Sequence, residues 1–165
     1  VTDATIRIVP ARPEDSATIL KLARGLATYE RIPDSVTATV EDVRRCLFGE
    51  RPHAEAALAL AGDGAIGMVV FFGTFSTFLG RPGIYLEDIF VEEPWRGRGI
   101  GRRLMNYVAR IAVERGCARL EWSVLNWNEQ AIRFYKSVGA KPQDEWTVYR
   151  LAGESLRQFA AEQIT

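Results

Sequence analysis

Apolar and polar residues alternate along this chain with two periods. Thr5-Ile6-Arg7-Ile8-Val9 alternates and predicts a first strand. Pro13, Glu14 and Asp15 then suit a helix start, because proline fits a first turn and acids suit its positive end. Ile19, Leu22, Ala23, Leu26 and Tyr29 follow at helical spacing, which carries that helix to about Glu30, before Pro33. Val40–Phe48 predicts a short second helix, closed by Gly49 and Pro52. Residues 54–60 and 65–72 read as strands, with Gly62-Asp63-Gly64 as a hairpin turn between them. Residues 83–92 predict a fourth strand. Ile100, Leu104, Val108, Ile111 and Ala112 form the apolar stripe of a long helix, stopped by Gly116. Beyond it the pattern predicts a strand over 118–125, a helix over 128–138, a last strand over 145–151 and a terminal helix over 154–162.

Three consecutive middle strands suit antiparallel pairing. The helix after Gly101 suits a crossover to a parallel neighbour. The expected fold class is mixed α/β: one domain over residues 1–165, with a central twisted mixed sheet of about six strands flanked by helices. A chain of 165 residues with 47% hydrophobic and 25% charged content can bury a real core. Its 21 basic and 21 acidic residues cancel, so bulk charge predicts neither a nucleic-acid nor a membrane partner. No apolar run approaches the roughly 20 residues needed to cross a bilayer. The N-terminus lacks the charged and apolar regions of a signal peptide. Cys46 and Cys117 have no metal-type spacing and suit buried thiols in a reducing compartment. The expected localisation is therefore cytoplasmic. His53 is the single histidine, so no metal site is expected.

The strongest chemical signal lies between strand four and the long helix: Arg96-Gly97-Arg98-Gly99-Ile100-Gly101-Arg102-Arg103. Glycines let backbone N–H groups approach a ligand, a turn can form an anion-binding nest, and a helix N-terminus adds a positive dipole end. Four arginines add full charges, so a phosphorylated ligand is expected here. A P-loop would need G-x-x-x-x-G-K-[ST], which is missing. A dinucleotide fingerprint would need G-x-G-x-x-G, usually after the first strand, whereas the glycines here fall at 97, 99 and 101 after the fourth.

The pattern that fits is R-x-x-G-x-G. With its preceding strand it resembles the coenzyme A pyrophosphate loop of the GNAT superfamily of N-acetyltransferases. Asn128, Ala131, Phe134-Tyr135 and Gly139-Ala140 resemble that family's second signature, N-x-x-A-x-x-F-Y-x-x-x-G-A. Arg12-Pro13-Glu14-Asp15 is similar to its N-terminal opening. Leu26-Ala27-x-Tyr29-Glu30, Tyr85-Leu86-Glu87-Asp88-Ile89 and Trp127-Asn128 resemble the diamine and thialysine acetyltransferase subfamily.

The resemblance implies direct transfer of an acetyl group from acetyl-CoA to a primary amine through a tetrahedral intermediate. It implies that Ile89, Phe90 and Val91 offer backbone groups to the pantetheine arm. Arg96, Gly97, Arg98, Gly99, Ile100, Gly101 and Arg102 would grip the pyrophosphate, and Asn128 would contact the cofactor. Tyr135 would be the general acid for the leaving thiolate, although spacing alone favours a plain aromatic pair with Phe134. Glu87 would bind and deprotonate the amine, with Asp88 as the alternative carboxylate. On a regularly alternating strand Glu87 and Ile89 share one face, and Leu86, Asp88 and Phe90 the other. Tyr29 and Glu30 would line the substrate mouth, or simply end a helix. Arg31 is basic where polyamine acetylases carry acids, and residues 75–80 hold no acid. The implied acceptor is therefore a small amine of the thialysine, lysine or diamine kind. Acetylation of protein lysines or N-termini, and non-catalytic sensing of acyl-CoA, are the competing functions. A homodimer joined through residues 146–161 is also implied.

Overall fold

The computed structural model describes residues 5–162, as two compact units, Val1–Leu125 and Asn126–Thr165. The first unit is built on one five-stranded sheet in the order β1-β2-β3-β4-β5. These strands are β1 (Ile6–Pro10), β2 (Glu55–Ala61), β3 (Gly64–Ser76), β4 (Arg81–Val91) and β5 (Leu120–Trp122). The first four pair antiparallel, and β5 joins β4 in parallel. That switch requires a crossover, which α3 (Ile100–Glu114) provides.

Both faces of the sheet are covered. On one, Ala56, Leu58, Met68 and Phe90 cluster with Ile19 and Leu22 of α1 (Ser16–Tyr29). Alternation sends Ala57, Ala59, Val69 and Phe71 to the other face, where the stripe Ile100, Leu104, Met105, Val108 and Ala112 of α3 is buried. This double burial explains why β2 reads as a near-continuous apolar run. The second helix, α2 (Val40–Phe48), begins on a capping box: Thr39 Oγ1 accepts from Asp42 N–H at 3.1 Å, and Thr39 N–H donates to Asp42 Oδ2 at 3.0 Å. The Thr39 hydroxyl, which donates to Asp42 Oδ2 at 2.7 Å, the Thr39 N–H and Arg45 hold the Asp42 carboxyl below its ordinary range.

Three sequence expectations change. The sheet has five strands rather than about six. Among the described residues, 145–151 form no ladder, and the regular elements of the second unit are α4 (Glu129–Ser137) and α5 (Gly153–Ala161). The alternating apolar side chains of 145–151 lie outward instead. β5 is also shorter than residues 118–125, since its ladder to β4 covers only Ile84–Leu86. Finally, β4 does not alternate regularly. Phe71 pairs with Leu86 and Val70 with Asp88, so Glu87 is an extra bulged residue. Leu86 and Asp88 consequently face opposite sides of the sheet. Asp88 joins Phe90 on the α1 face, while Leu86 joins Phe71 on the α3 face.

No helix of the described residues is long and apolar enough to cross a membrane.

Candidate active site

The glycine-arginine turn leaves β4 through a short 3-10 turn, Glu93–Trp95, and enters α3. Gly97 and Gly99 hold φ of 75° and 74°, a left-handed backbone that side chains disfavour. Gly101 has no such need. It lies inside the first turn of α3, and among the described residues a Cβ there would meet nothing within 4 Å beyond its chain neighbours and its own helix backbone. Glycine in a helix is disfavoured by up to about 1 kcal/mol relative to alanine. Nothing among the described residues explains this glycine, and a ligand lying against the turn would. The helix ladder opens with Arg103 N–H donating to Gly99 O at 3.1 Å, so the amides of Ile100 and Gly101 have no intrahelical acceptor. Positive φ, bare backbone and a helix N-terminus together fit an anionic group of pyrophosphate size.

The arginines divide. The Arg98 guanidinium lies 5.0 Å over the Trp95 ring, beside the loop. Arg103 is turned away and donates to Ile6 O at 2.6 Å, tying α3 to β1, so its charge serves the fold rather than the turn. Arg96 also turns inward. Its Nε donates to Val91 O at 2.9 Å, and its guanidinium lies 4.5 Å over the Tyr29 ring and 5.5 Å from Phe90.

Beside this turn, β4 parts from β5. The parallel ladder stops at Leu86, whereas β3 accompanies β4 through Val91. Ile89, Phe90 and Val91 thus have a strand neighbour on one side only, which leaves their other edge for an extended ligand.

Three carboxylates gather where the end of α1 meets the bulge of β4. Asp88 is largely buried, and its carboxyl is pushed up to about 6, first by burial, then by the charges of Glu87 and Glu30. Burial also pushes Glu30 up. Glu87, the bulged residue, is exposed. Among the described residues, the side-chain charges acting on Asp88 are both of its own sign. Such a cluster favours a cation at its mouth. Tyr29 and Glu30 end α1 through a Schellman-type closure: Ile32 N–H reaches Ala27 O at 2.9 Å and Arg31 N–H reaches Thr28 O at 3.1 Å. Arg31 takes φ of 65° at the position where glycine is usual.

The structure therefore brings Tyr29, Glu30, Glu87, Phe90 and Arg96 together, and adds Asp88 as the most perturbed carboxyl. A further contributor is Gly25, whose Cβ would come within 2.9 Å of the Phe90 ring. Its sequence signal was a glycine in mid-helix, a costly residue with no turn to justify it. Asn128 and Tyr135 belong to the second unit. Asn128 Oδ1 caps α4 by accepting from Ala131 N–H at 3.2 Å. Tyr135 does form an aromatic pair with Phe134, with ring centroids 5.4 Å apart.

Comparisons with known proteins give the family of the chain. Residues 22–140 match the family model described as acetyltransferase (GNAT) family. The chain is 37% identical to a thialysine N-epsilon-acetyltransferase of Bos taurus, over 96% of this chain and 99% of that protein. It is 45% identical to an L-ornithine N5-acetyltransferase of Arabidopsis thaliana, over 92% and 86% of the two chains. Among solved structures, an integron cassette protein from V. cholerae superposes with a TM-score of 0.80 at 28% identity, covering 95% of this chain and 98% of that one. The carboxylate mouth, the parted strand edge and the glycine turn thus sit in a chain that belongs to the GNAT acetyltransferase family.

Proposed function

We propose that residues 1–165 act as one catalytic domain that acetylates a primary amine of a small molecule, using acetyl-CoA as co-substrate. The observation that carries this reading is the cluster of Glu30, Glu87 and Asp88 together with the bare turn at Gly101. One half suits an ammonium group and the other a pyrophosphate. The relatives' names support a lysine-like or ornithine-like acceptor, or a diamine.

Bound acetyl-CoA supplies an activated acetyl thioester. Gly97, Gly99 and Gly101 expose the amides that hold its pyrophosphate, with Arg98, Ile100 and Arg102 around them. The edge at Ile89, Phe90 and Val91 orients the pantetheine arm by strand-like pairing, and Asn128 completes the cofactor contacts. Tyr29, Glu30 and Glu87 hold the amine as a cation, and Asp88 accepts its proton. A lysine-type ammonium has a pKa of about 10.4, so passing its proton to an ordinary carboxyl at 3.8 costs roughly 9 kcal/mol. An acceptor raised to about 6 lowers that to roughly 6 kcal/mol, on the order of a hundredfold in the proton-transfer equilibrium. Burial thus makes Asp88, rather than exposed Glu87, the better base. Tyr135 holds the proton that the departing thiolate takes up. Free Cys46 and Cys117 suit a reducing, cytoplasmic setting.

A homodimer is part of the proposal. Trp146, Val148 and Tyr149 are 76%, 81% and 92% exposed, with Leu156 and Phe159 of α5 also outward. A strand-competent segment without a ladder partner and an apolar helix face are suited to cover by a second copy.

Incubation with acetyl-CoA and a panel of thialysine, lysine, ornithine, diamines, spermidine and a lysine peptide, following free thiol release, should show turnover of the small amines above the peptide. Thiol release no faster than background with every amine would sink the enzymatic reading, and preference for the peptide its small-molecule part.

For Asp88, kcat/KM for the amine should fall as pH drops through about 6, because the base is then protonated. Asp88→Asn should remove that limb and about 10²- to 10⁴-fold of the rate. The folded carboxyl titrates above its unfolded value of 3.8, so its charge burdens the fold fully above about pH 6 and not at all below 3.8. Asp88→Asn should therefore melt higher than the parent at pH 7, with the gap closing in acid. Tyr135→Phe should lower kcat and keep the acid limb; an unchanged rate across pH would remove Tyr135 from its role.

Gly101→Ala should stabilise the fold by a few tenths to about 1 kcal/mol while weakening coenzyme A binding on the order of tenfold. Calorimetry reads both, and unchanged affinity would count against the pyrophosphate assignment.

In sedimentation velocity the parent should run as a dimer at micromolar concentration, and Trp146→Glu as a monomer. A monomeric parent would refute the interface.

A further inference from the structure

We propose that Arg96 is a positioning residue for the amine side of the site rather than a member of the phosphate grip. This rests on the functional reading above. The first arginine of the glycine turn is expected to add its charge to the pyrophosphate site. Its side chain instead leaves the turn and completes a stack that runs from Gly25 through Phe90 and Arg96 to Tyr29.

The layers follow from the sequence outward. Gly25 is a poor helix residue at mid-helix, yet any Cβ there would come 2.9 and 3.0 Å from two carbons of the Phe90 ring. The glycine thus lets that ring lie flush on α1. The bulge at Glu87 is what sends Phe90 to this face. The Arg96 guanidinium covers the next layer, 5.5 Å from the Phe90 centroid and 4.5 Å from the Tyr29 centroid. Its Nε donates to Val91 O at 2.9 Å, which ties the guanidinium plane to the last residue of β4. A planar, delocalised cation suits this place between two rings, and a lysine ammonium would not reproduce it.

The consequence is geometric. Tyr29 precedes Glu30 at the end of α1, and Phe90 follows Asp88 by one pleat of β4. Arg96 grips both aromatic rings, so it sets the spacing between Glu30, which holds the amine, and Asp88, which takes its proton. Serving a phosphate at Gly97–Gly101 instead would take the guanidinium off Tyr29 and break its bond to Val91. That leaves Arg98 and Arg102 as the charged members of the grip.

Donors with and without phosphates separate the two roles. Acetyl-CoA and S-acetylpantetheine, which lacks every phosphate, are compared in the parent, Arg96→Gln, Arg96→Lys and Gly25→Ala, with coenzyme A affinity read by titration calorimetry and folding by thermal melts. Arg96→Gln should raise the amine KM and lower kcat/KM about tenfold with both donors, on the scale of a lost cation–π contact. Its coenzyme A Kd should stay within about threefold of the parent. Arg96→Lys should not rescue it, and Gly25→Ala should reproduce the amine defect by displacing Phe90. The proposal is overturned if the loss appears with acetyl-CoA alone, or if coenzyme A binding weakens tenfold or more and lysine restores it. A parent inert toward every amine would instead overturn the functional reading, and the coenzyme A affinities would still decide the role of Arg96.

Discussion

Between Leu86 and Asp88 the pairing of β4 with β3 skips Glu87, and most of the site follows from that extra residue. In a regular strand Leu86, Asp88 and Phe90 would share a face. The bulge breaks that parity, so Leu86 enters the α3 core while Asp88 and Phe90 turn toward α1. Only there can Phe90 lie on Gly25 and Asp88 come under the fields of Glu30 and Glu87. The same stretch is where β4 outruns β5, which ends its ladder at Leu86. One irregularity thus coincides with the place where a ligand edge opens and an acid is buried among like charges. Burial of this kind is unfavourable for the fold, and a site that must take a proton is where such a burden has a use.

The turn that follows works by omission. Left-handed backbone at Gly97 and Gly99 and open space at Gly101 leave amides facing outward at a helix N-terminus. An arginine charge near such a turn is not automatically part of it. Arg103 ties α3 to β1 through Ile6, and Arg96 binds the end of β4 to α1. Long side chains reach several ångströms from their backbone, and two of the partners they find, Ile6 and Tyr29, are far away in sequence. Formal charge in a motif therefore overstates the charge at the ligand.

Much of the scaffold was legible beforehand. The α2 limits, the hairpin at Gly62-Asp63 and the stripe of α3 all came from periodicity and breakers, because those are properties of short segments. The glycine turn and the Asn128-to-Tyr135 signature were equally visible, and they led to the family that the comparisons show. Less visible were the length of β5 and the fate of residues 145–151. A strand needs a partner edge, and alternation alone does not supply one. Asp88 could be named only as an alternative to Glu87, since exposure is what separates two adjacent acids.

The sequence by itself determined most of the helices and strands before residue 118, where the bare turn lies and which residue types carry the chemistry. Spacing, glycine and capping act within a few residues, and so they can be read along the chain. The tertiary structure alone decided which acid is buried, which arginine turns away from the turn and which stretch of strand edge stays open. Each of those depends on register, burial and reach between residues distant in sequence, and the extra residue at position 87 sets one such register.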